Sequence, residues 1–210
     1  MVFQTLTTKT HKQSTEIPEK TTLKKPQVKE TSGHVTTNNE KGVTSKPKTP
    51  QKSNQSIEFE DEKLNVIDKK KYDLDFSDDS WSSAAIKVNN IEIIKTDSFI
   101  YDDSTNDKAQ GLAIVNISIM PSKDIYAFMS SANLITSDGQ QIETDYYSLK
   151  NYKDNPSGEI ANGAKKDGNL VFPIEKLDKI EDIKNLRLKF DASDDDESDE
   201  YNYDFTINLS

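Results

Sequence analysis

The sequence of 210 residues contains no cysteine, and only 32% of its residues are hydrophobic. Without thiols the chain cannot form a disulfide framework, a thiolate zinc site or an iron–sulfur cluster, and it has no cysteine nucleophile. Apolar runs of about 18 residues, which a membrane-spanning helix needs, are also missing. Because 30% of the residues are charged, the composition indicates that only part of the chain folds around a core.

Basic and catalytic groups are scarce as well. The formal net charge is −10 and Arg187 is the one arginine, so the sequence predicts no broad basic face and no nucleic-acid partner. The two histidines, His11 and His34, lie in the polar N-terminal part, which removes Ser–His and Cys–His mechanisms from the rest of the chain. Nucleophile-elbow, serine–lysine and phosphate-loop motifs are not found there either. We therefore predict that the protein is not an enzyme and has no catalytic residues.

Composition divides the chain near Trp81. Residues 1–56 carry 10 Lys and 4 Glu with 12 scattered Thr, and they show neither a helical nor a strand period. We predict a disordered Thr/Lys/Pro-rich tether there, with a cationic arm that binds an anionic surface as the alternative. Residues 57–80 alternate short apolar and acidic pieces. We assign them to the same tether, with a short strand at the domain edge as the alternative. The predicted division is a linker at 1–80 and a folded domain at 81–210.

From Trp81 onward, apolar and polar residues alternate in short runs between turn signals, as strands require. About seven such strands in roughly 130 residues predict an all-β, antiparallel β-sandwich. The cleanest alternation is at 201–209, where Phe205 and Ile207 are predicted to face the core. Local irregularities are predicted at four places: a bulge at Asn89 and Asn90, a hairpin turn at Asp138 and Gly139, a strand end or sheet edge at Pro173, and one helical or 3₁₀ turn within 177–186.

Four pieces of the sequence carry a family resemblance. They are an Ile/Val strand at 86–94, the run Gly-Leu-Ala-Ile-Val-Asn-Ile-Ser-Ile at 111–119, the run Ala-Asn-Leu-Ile-Thr-Ser-Asp-Gly at 132–139, and a double-glycine loop leading into Val-Phe-Pro at 158–173. In this order they resemble the immunoglobulin-like (telokin-like) domain of unknown function found in secreted lipoproteins of Gram-positive bacteria. The resemblance covers about the C-terminal three fifths of the chain and implies an immunoglobulin-like β-sandwich.

The resemblance also implies export, with a lipid-anchored cysteine followed by a flexible polar linker. The sequence starts Met1-Val-Phe-Gln, without the basic and apolar regions of a signal peptide. Because a long Thr/Lys/Pro-rich tether has little obvious use on a free cytoplasmic domain, we expect that a leader, with a lipid anchor, precedes the given sequence. The expected location is extracytoplasmic, at the cell surface or secreted, and a cytoplasmic location is the alternative.

Three tyrosines, Tyr146, Tyr147 and Tyr152, fall in one polar loop at 144–158. Exposed tyrosines give a contact surface a large area at low entropic cost. We therefore predict that Tyr147 and Tyr152 are binding residues. The alternative is that two of the three tyrosines cap the edge of the sandwich.

The acidic run at 191–200 contains seven acids in ten residues. Oxygen-rich loops of this kind can hold Ca²⁺ outside the cell, which makes Asp194, Asp196 and Asp199 candidate metal ligands. The run lacks the glycine and the alternating spacing of a calcium loop. A mobile, self-repelling hairpin loop is therefore the preferred interpretation, and no cofactor is expected. The acidic stretch at 102–107 allows the same two interpretations.

Together these features predict a non-catalytic extracytoplasmic interaction module, displayed on a flexible tether, that binds a protein or cell-envelope component through its loop ends. The loops at 146–158 and 191–200 offer aromatic area and dense negative charge, which favours a protein or a cationic envelope component as the partner. A cation-dependent or small-molecule-binding extracytoplasmic domain is the alternative, and an enzyme ranks third.

Overall fold

The computed structural model describes residues 55–195 and 197–209. It contains one helical element in that part of the chain, a 3₁₀ turn at Ile180–Asp182, and no helix there is long and apolar enough to cross a membrane. The strands are β1 (Ser56–Phe59), β2 (Glu62–Asp78), β3 (Ala84–Asp102), β4 (Asp107–Pro121), β5 (Ile125–Thr136), β6 (Gln141–Glu143), β7 (Gly158–Ile160), β8 (Lys166–Ile174), β9 (Asn185–Asp194) and β10 (Glu200–Asn208).

The strands form two antiparallel sheets. In the first sheet the order is β1-β2-β3-β4-β8, and in the second it is β10-β9-β5-β6, with β7 paired to the start of β5. Buried side chains from both sheets form one main core between them. The predicted all-β, antiparallel fold is confirmed.

Period-two alternation builds this main core. Val88 and Ile91 of β3 are both fully buried although they are three residues apart, because β3 has a register shift between Val88 and Asn90. The bulge predicted there is confirmed. In β10, Phe205 and Ile207 are buried while their neighbours Asp204, Thr206 and Asn208 are exposed, which confirms their predicted facing.

Three further local predictions are confirmed. Asp138 and Gly139 turn the chain between β5 and β6, where Gly139 has a φ of 91° and donates its N–H to the carbonyl of Thr136 at 2.9 Å. Pro173 lies in β8, which is an edge strand of the first sheet. The helical turn predicted within 177–186 is the 3₁₀ turn Ile180–Asp182, with the buried Leu177 before it and the buried Ile183 after it.

The assignment of residues 57–80 to the tether is wrong, because β1 and β2 occupy most of this segment. Glu60 and Asp61 make the hairpin turn between the two strands, with φ values of 46° and 66°. Beyond the part that pairs with β1, alternate apolar side chains of β2 pack against the main core: Tyr72, Leu74 and Phe76.

The high charge of β2 makes its sequence resemble that of a tether. Lys and Asp occupy most of the exposed positions of β2, so the segment resembles a solvated linker in composition although one of its faces is apolar. The folded domain therefore begins before Trp81 and has more strands than the seven expected. The tether predicted at 1–54 lies outside the described residues.

The first sheet is also covered on its other face, where a second core forms. Leu112 and Ile114 of β4 are 0% and 2% exposed. They pack with apolar residues of β1 and β2 and with Leu149, which lies in the long connection between β6 and β7. Residues 144–157 of this connection are called the strap below.

Candidate binding site

The strap is hydrogen-bonded to both edges of the first sheet. At β1, the Lys150 N–H donates to the carbonyl of Glu58 at 3.1 Å, and the two side chains form an ion pair at 2.7 Å. At β8, the Asn169 N–H donates to the carbonyl of Asp154 at 3.2 Å. Since β1 and β8 are the two outer strands of this sheet, the strap closes the second core from edge to edge.

Gly168 of β8 lets the strap lie directly on the sheet. A Cβ atom at this position would lie 2.4 Å from the carbonyl oxygen of Asp154 and 2.6 Å from Cδ of Pro156. A larger residue would therefore push the strap away from β8. The strap is positioned by this close approach as well as by its hydrogen bonds.

The structure separates the three loop tyrosines. Tyr146 is 62% exposed, whereas Tyr147 and Tyr152 are half-buried against the second core. The Tyr152 hydroxyl donates to Glu92 Oε2 at 2.8 Å, and burial followed by this carboxylate raises the pKa of Tyr152. The Tyr147 ring packs on Phe59 with centroids 5.3 Å apart. The premise that Tyr147 and Tyr152 are freely exposed is wrong because both cap the second core, and their role in binding stays a prediction.

Tyr146 and Tyr147 both line a cleft beside the β1–β2 turn, with a volume of about 480 Å³. Its lining consists of two kinds of side chain, aromatic or aliphatic groups and carboxylates: Phe59, Ile100, Tyr101, Tyr146, Tyr147, Glu60, Glu62, Asp103 and Asp145. None of these described lining residues carries a positive charge. We call this feature the acidic cleft.

Three segments that are distant in sequence build the acidic cleft. The β1–β2 turn supplies Glu60, the C-terminal end of β3 supplies Tyr101, and the start of the strap supplies Asp145. Glu60 is held towards the strap because its carboxylate accepts a hydrogen bond from the Ser148 N–H. The short turn and the strap thus fix each other's position at the rim of the cleft.

Two tyrosines of the acidic cleft, Tyr101 and Tyr147, have raised pKa values. Burial, and after it the charge of Asp145, raises the pKa of Tyr147 to about 12. Burial also raises the pKa of Tyr101, with further contributions from Glu175 and Asp107. These charged neighbours are all acids, so both hydroxyls stay protonated at neutral pH and the cleft has a negative potential.

Two carboxylates of the acidic hairpin between β9 and β10 accept hydrogen bonds from other groups of the protein. Asp194 is buried, and its carboxylate accepts hydrogen bonds from the Asp199 N–H and the Ser198 hydroxyl, both at 3.0 Å. The Asp199 carboxylate accepts a hydrogen bond from Nε1 of Trp81 at 2.9 Å. Asp196 lies outside the described residues. Across the described residues, no group of three or more acidic or histidine side chains is arranged to hold a metal ion.

Sequence reasoning did not find the acidic cleft. Its lining comes from residues near 59–62, 100–103 and 145–147, and no spacing in the sequence shows that these segments meet. One signal was available in the pairing of acids with aromatics, as in Phe59-Glu60 and Asp145-Tyr146-Tyr147. The two pairs are more than 80 residues apart in sequence, so their composition alone does not show that they meet.

No known protein family matches this sequence, and no curated protein is significantly similar to it. The structure is similar to that of a functionally unknown protein from Listeria monocytogenes, with a TM-score of 0.47 at 10% identity over 70% of this chain and 88% of that chain. It is also similar to a candidate lipoprotein from Bacillus subtilis, with a TM-score of 0.40 at 19% identity over 65% of this chain and 39% of that chain. Neither likeness assigns a family or an activity to this chain.

Proposed function

We propose that this protein is a non-catalytic extracytoplasmic module that binds a cationic protein segment or cell-envelope component in the acidic cleft. The resemblance of residues 86–173 to an immunoglobulin-like domain of secreted lipoproteins supports the location. The Thr/Lys/Pro-rich composition of residues 1–54, which suits a tether, supports it further. The acidic cleft is the observation that carries the binding role.

The chemistry of the acidic cleft favours a positively charged ligand. Four carboxylates line one concave surface: Glu60, Glu62, Asp103 and Asp145. Their mutual repulsion is relieved when a positive group enters, because opposite charges attract and the described lining supplies none of its own. The rings of Tyr101, Tyr146 and Tyr147 add cation–π and apolar contact to the same group. Lysine ammonium and arginine guanidinium groups meet both requirements.

A segment of chain fits the acidic cleft better than a bare metal ion. A calcium site needs several oxygen ligands that converge on one point, and no described group of acids does so. The volume of about 480 Å³ instead leaves room for more than one side chain. The expected ligand is therefore a short basic stretch rather than an inorganic cation.

The non-catalytic role is supported by the side chains at hand. The chain has two histidines, both N-terminal to residue 35, and no cysteine. Tyr147, with its pKa raised to about 12, is protonated at neutral pH and so is not a general base. The acidic cleft therefore provides apolar contact area and negative charge, which suit binding.

Titration of the protein with a short lysine-glycine peptide tests the proposal, with a glutamate-glycine peptide of equal length as the negative probe. We expect saturable binding of the lysine peptide that weakens at high salt but persists in part, since aromatic contacts are not screened. A Glu62→Gln/Asp103→Asn variant should bind it about tenfold more weakly, and Tyr146→Ala should weaken it further.

The matched control is Asp79→Asn/Glu181→Gln, which removes the same two charges from exposed positions outside the acidic cleft. This variant should bind the lysine peptide as the unaltered protein does. Equal weakening in both double variants would mean that net charge alone attracts the peptide, and the cleft would lose its assigned role.

A further inference from the structure

β10 forms an open edge of the second sheet. It pairs with β9 over nine consecutive residue pairs, Glu200–Asn208 against Asn185–Ser193, without a register shift. Within the described part of the chain, β9 is its only strand partner. One side of β10 is therefore paired along its whole length, and the other side faces outward.

The pairing phase shows which backbone groups face outward. The Leu209 N–H donates to the carbonyl of Lys184 at 2.9 Å, in register with the β9–β10 pairs. In an antiparallel ladder, hydrogen-bonded and non-hydrogen-bonded pairs alternate, so the odd-numbered residues of β10 bond to β9. The even-numbered residues Asn202, Asp204 and Thr206 thus direct their N–H and C=O groups away from the sheet. Their side chains lie on the exposed face, opposite the buried aromatic side chains.

β10 has few of the features that usually protect an edge strand. Natural edges are shortened, bulged, or supplied with proline or charged residues, lysine above all. The nine residues of β10 contain no lysine and no proline, and their register is continuous. The strand is thus long, regular and free to accept a further strand.

The main core is incompletely covered on the same side of the sandwich. Its partly buried members lie on β2 and β10: Tyr72, Leu74, Phe76 and Tyr201. This part of β2 is also an edge, because β1 pairs with β2 only up to Asn65. Phe76 and Phe205 meet across the opening with ring centroids 4.6 Å apart. A strand added to β10 would place alternate side chains over these half-covered rings.

We propose that the outer edge of β10 is a docking site for an extended segment of a partner protein, which adds to the second sheet as a further strand. Backbone hydrogen bonds to Asn202, Asp204 and Thr206 would supply affinity, and alternate apolar residues of the segment would cover the open side of the core. The exposed side chains of β10 include two acids, and the Asp204 carboxylate already pairs with Arg187 of β9 at 2.6 Å. Glu200 is the other acid, so the solvent-facing residue of the segment beside Glu200 is a lysine or arginine.

A partner protein fits this edge better than a second copy of the chain. A partner segment can bring a lysine or arginine beside Glu200. The exposed positions of a second β10 carry Glu, Asn, Asp and Thr, so a second copy supplies no positive charge there. This docking site does not depend on the acidic cleft, which is built by other elements.

Amide hydrogen exchange measured by NMR tests the proposal on the full chain. The probe is a nine-residue peptide that alternates valine with lysine and threonine, and the control peptide has the same composition with the valines grouped. In the free protein, the amides of Asn202, Asp204 and Thr206 should exchange fast and those of the odd-numbered residues slowly. The alternating peptide should protect these three amides, and the control peptide should not.

Two substitutions at one position provide a second measurement. Thr206→Pro removes an outward N–H while sparing the ladder with β9, and Thr206→Ala keeps that N–H. The proline variant should bind the alternating peptide about tenfold more weakly, as the loss of one or two backbone hydrogen bonds predicts, and the alanine variant should bind unchanged. If the alternating peptide does not protect the amides of Asn202, Asp204 and Thr206 in the unaltered protein, the proposal is wrong. Protection without peptide, together with a dimer in sedimentation, would overturn the choice of partner in favour of a second copy.

Discussion

The rings of Phe76 in β2 and Phe205 in β10 lie with their centroids 4.6 Å apart. The contact joins the two sheets, because β2 belongs to the first and β10 to the second. Phe205 also meets Phe190 edge to face at 6.3 Å, so Phe76 extends an aromatic cluster of the main core. β2, which precedes Trp81, is thus part of the folded domain.

The first prediction concerns where the domain begins. A chain of residues 55–210 should unfold cooperatively, whereas residues 81–210 should not fold. Loss of β1 and β2 uncovers the second core and removes Phe76. β1 and β2 contribute four buried apolar side chains, Ile57, Phe59, Leu64 and Val66. At about 1.5–3 kcal/mol each, their loss is comparable to the roughly 5–15 kcal/mol that stabilise a domain. Thermal melts followed by circular dichroism measure this. If both chains melt cooperatively at the same temperature, β1 and β2 are not needed for the domain to fold, and the prediction is wrong.

The second prediction concerns the facing of β10. Phe205→Ala should lower the free energy of unfolding by roughly 3–5 kcal/mol, because it leaves a cavity between the sheets. Asn208→Ala, on the exposed face of the same strand, should change the free energy of unfolding little. Urea denaturation of both variants gives the comparison. Equal midpoints for the two would mean that the strand is turned the other way.

β10 and β2 show when the sequence pattern suffices. β10 was predicted to within one residue at each end, because one of its faces is apolar and the other carries Asn, Asp and Thr. Tyr72, Leu74 and Phe76 of β2 alternate just as regularly. Their burial, however, comes from contacts such as the one with Phe205, more than a hundred residues away in sequence. The pattern showed an apolar face without showing what covers it.

The second core and the acidic cleft could not be predicted for a related reason. Leu112 and Ile114 are buried because the strap and the β1–β2 hairpin cover them, and neither feature leaves a local signal in β4. The sequence likewise marked Tyr147 as an aromatic residue in a polar loop, which fits exposed and capping positions equally. Contacts with segments distant in sequence determine whether such a tyrosine is exposed or caps a core. The periodicity of the sequence carries no information about those contacts.

The third prediction concerns calcium. Trp81 is the one tryptophan of the chain, and its indole N–H donates to Asp199. Because Asp194 and Asp199 already accept hydrogen bonds that hold the hairpin, we expect millimolar Ca²⁺ to leave the fluorescence of Trp81 and the melting temperature unchanged relative to EDTA at the same ionic strength. A ligand that binds only the native state must raise stability. A rise of several degrees with Ca²⁺ would therefore reinstate the cation-dependent alternative.

The fourth prediction concerns acid sensitivity. Asp167 of β8 accepts a hydrogen bond from the Ser118 hydroxyl at 2.6 Å and pairs with Lys165 at 2.9 Å and Lys153 at 3.3 Å. The Ser118 bond first, and then the Lys165 bond, lower the pKa of Asp167 from 3.8 to about 2. The folded state thus favours the ionised carboxylate, and this stabilisation is complete above about pH 4 and lost as the pH falls through about 2.

Asp167→Asn should accordingly be less stable at neutral pH by about 1 kcal/mol, after allowance for solvent screening of a partly exposed group. The difference from the unaltered protein should shrink as the pH falls from about 4 towards 2. Urea unfolding at several pH values measures it. Asp182→Asn, at an exposed position, is the control and should show a smaller change. A difference that stays constant across this range would mean that the Asp167 charge is not what matters.

The last prediction concerns the strap. Gly168→Ala should loosen it, because the new Cβ would lie 2.4 Å from the carbonyl oxygen of Asp154 and 2.6 Å from Pro156. We expect a loss of about 1–3 kcal/mol in the free energy of unfolding, as in other overpacked sites. We also expect faster tryptic cleavage after Lys150 and Lys153, which lie in the strap.

Gly163→Ala is the matched control for this test. Gly163 has a φ of 71° and nothing within 4 Å of its would-be Cβ, so alanine strains the backbone there without touching the strap. Both variants should have a lower melting temperature than the unaltered protein. Only Gly168→Ala should be cleaved faster within the strap under native conditions. Because Tyr146 and Tyr147 line the acidic cleft from the strap, Gly168→Ala should also weaken binding of the lysine peptide, and Gly163→Ala should not. Equal cleavage of the two variants would show that the strap does not depend on its close approach to β8.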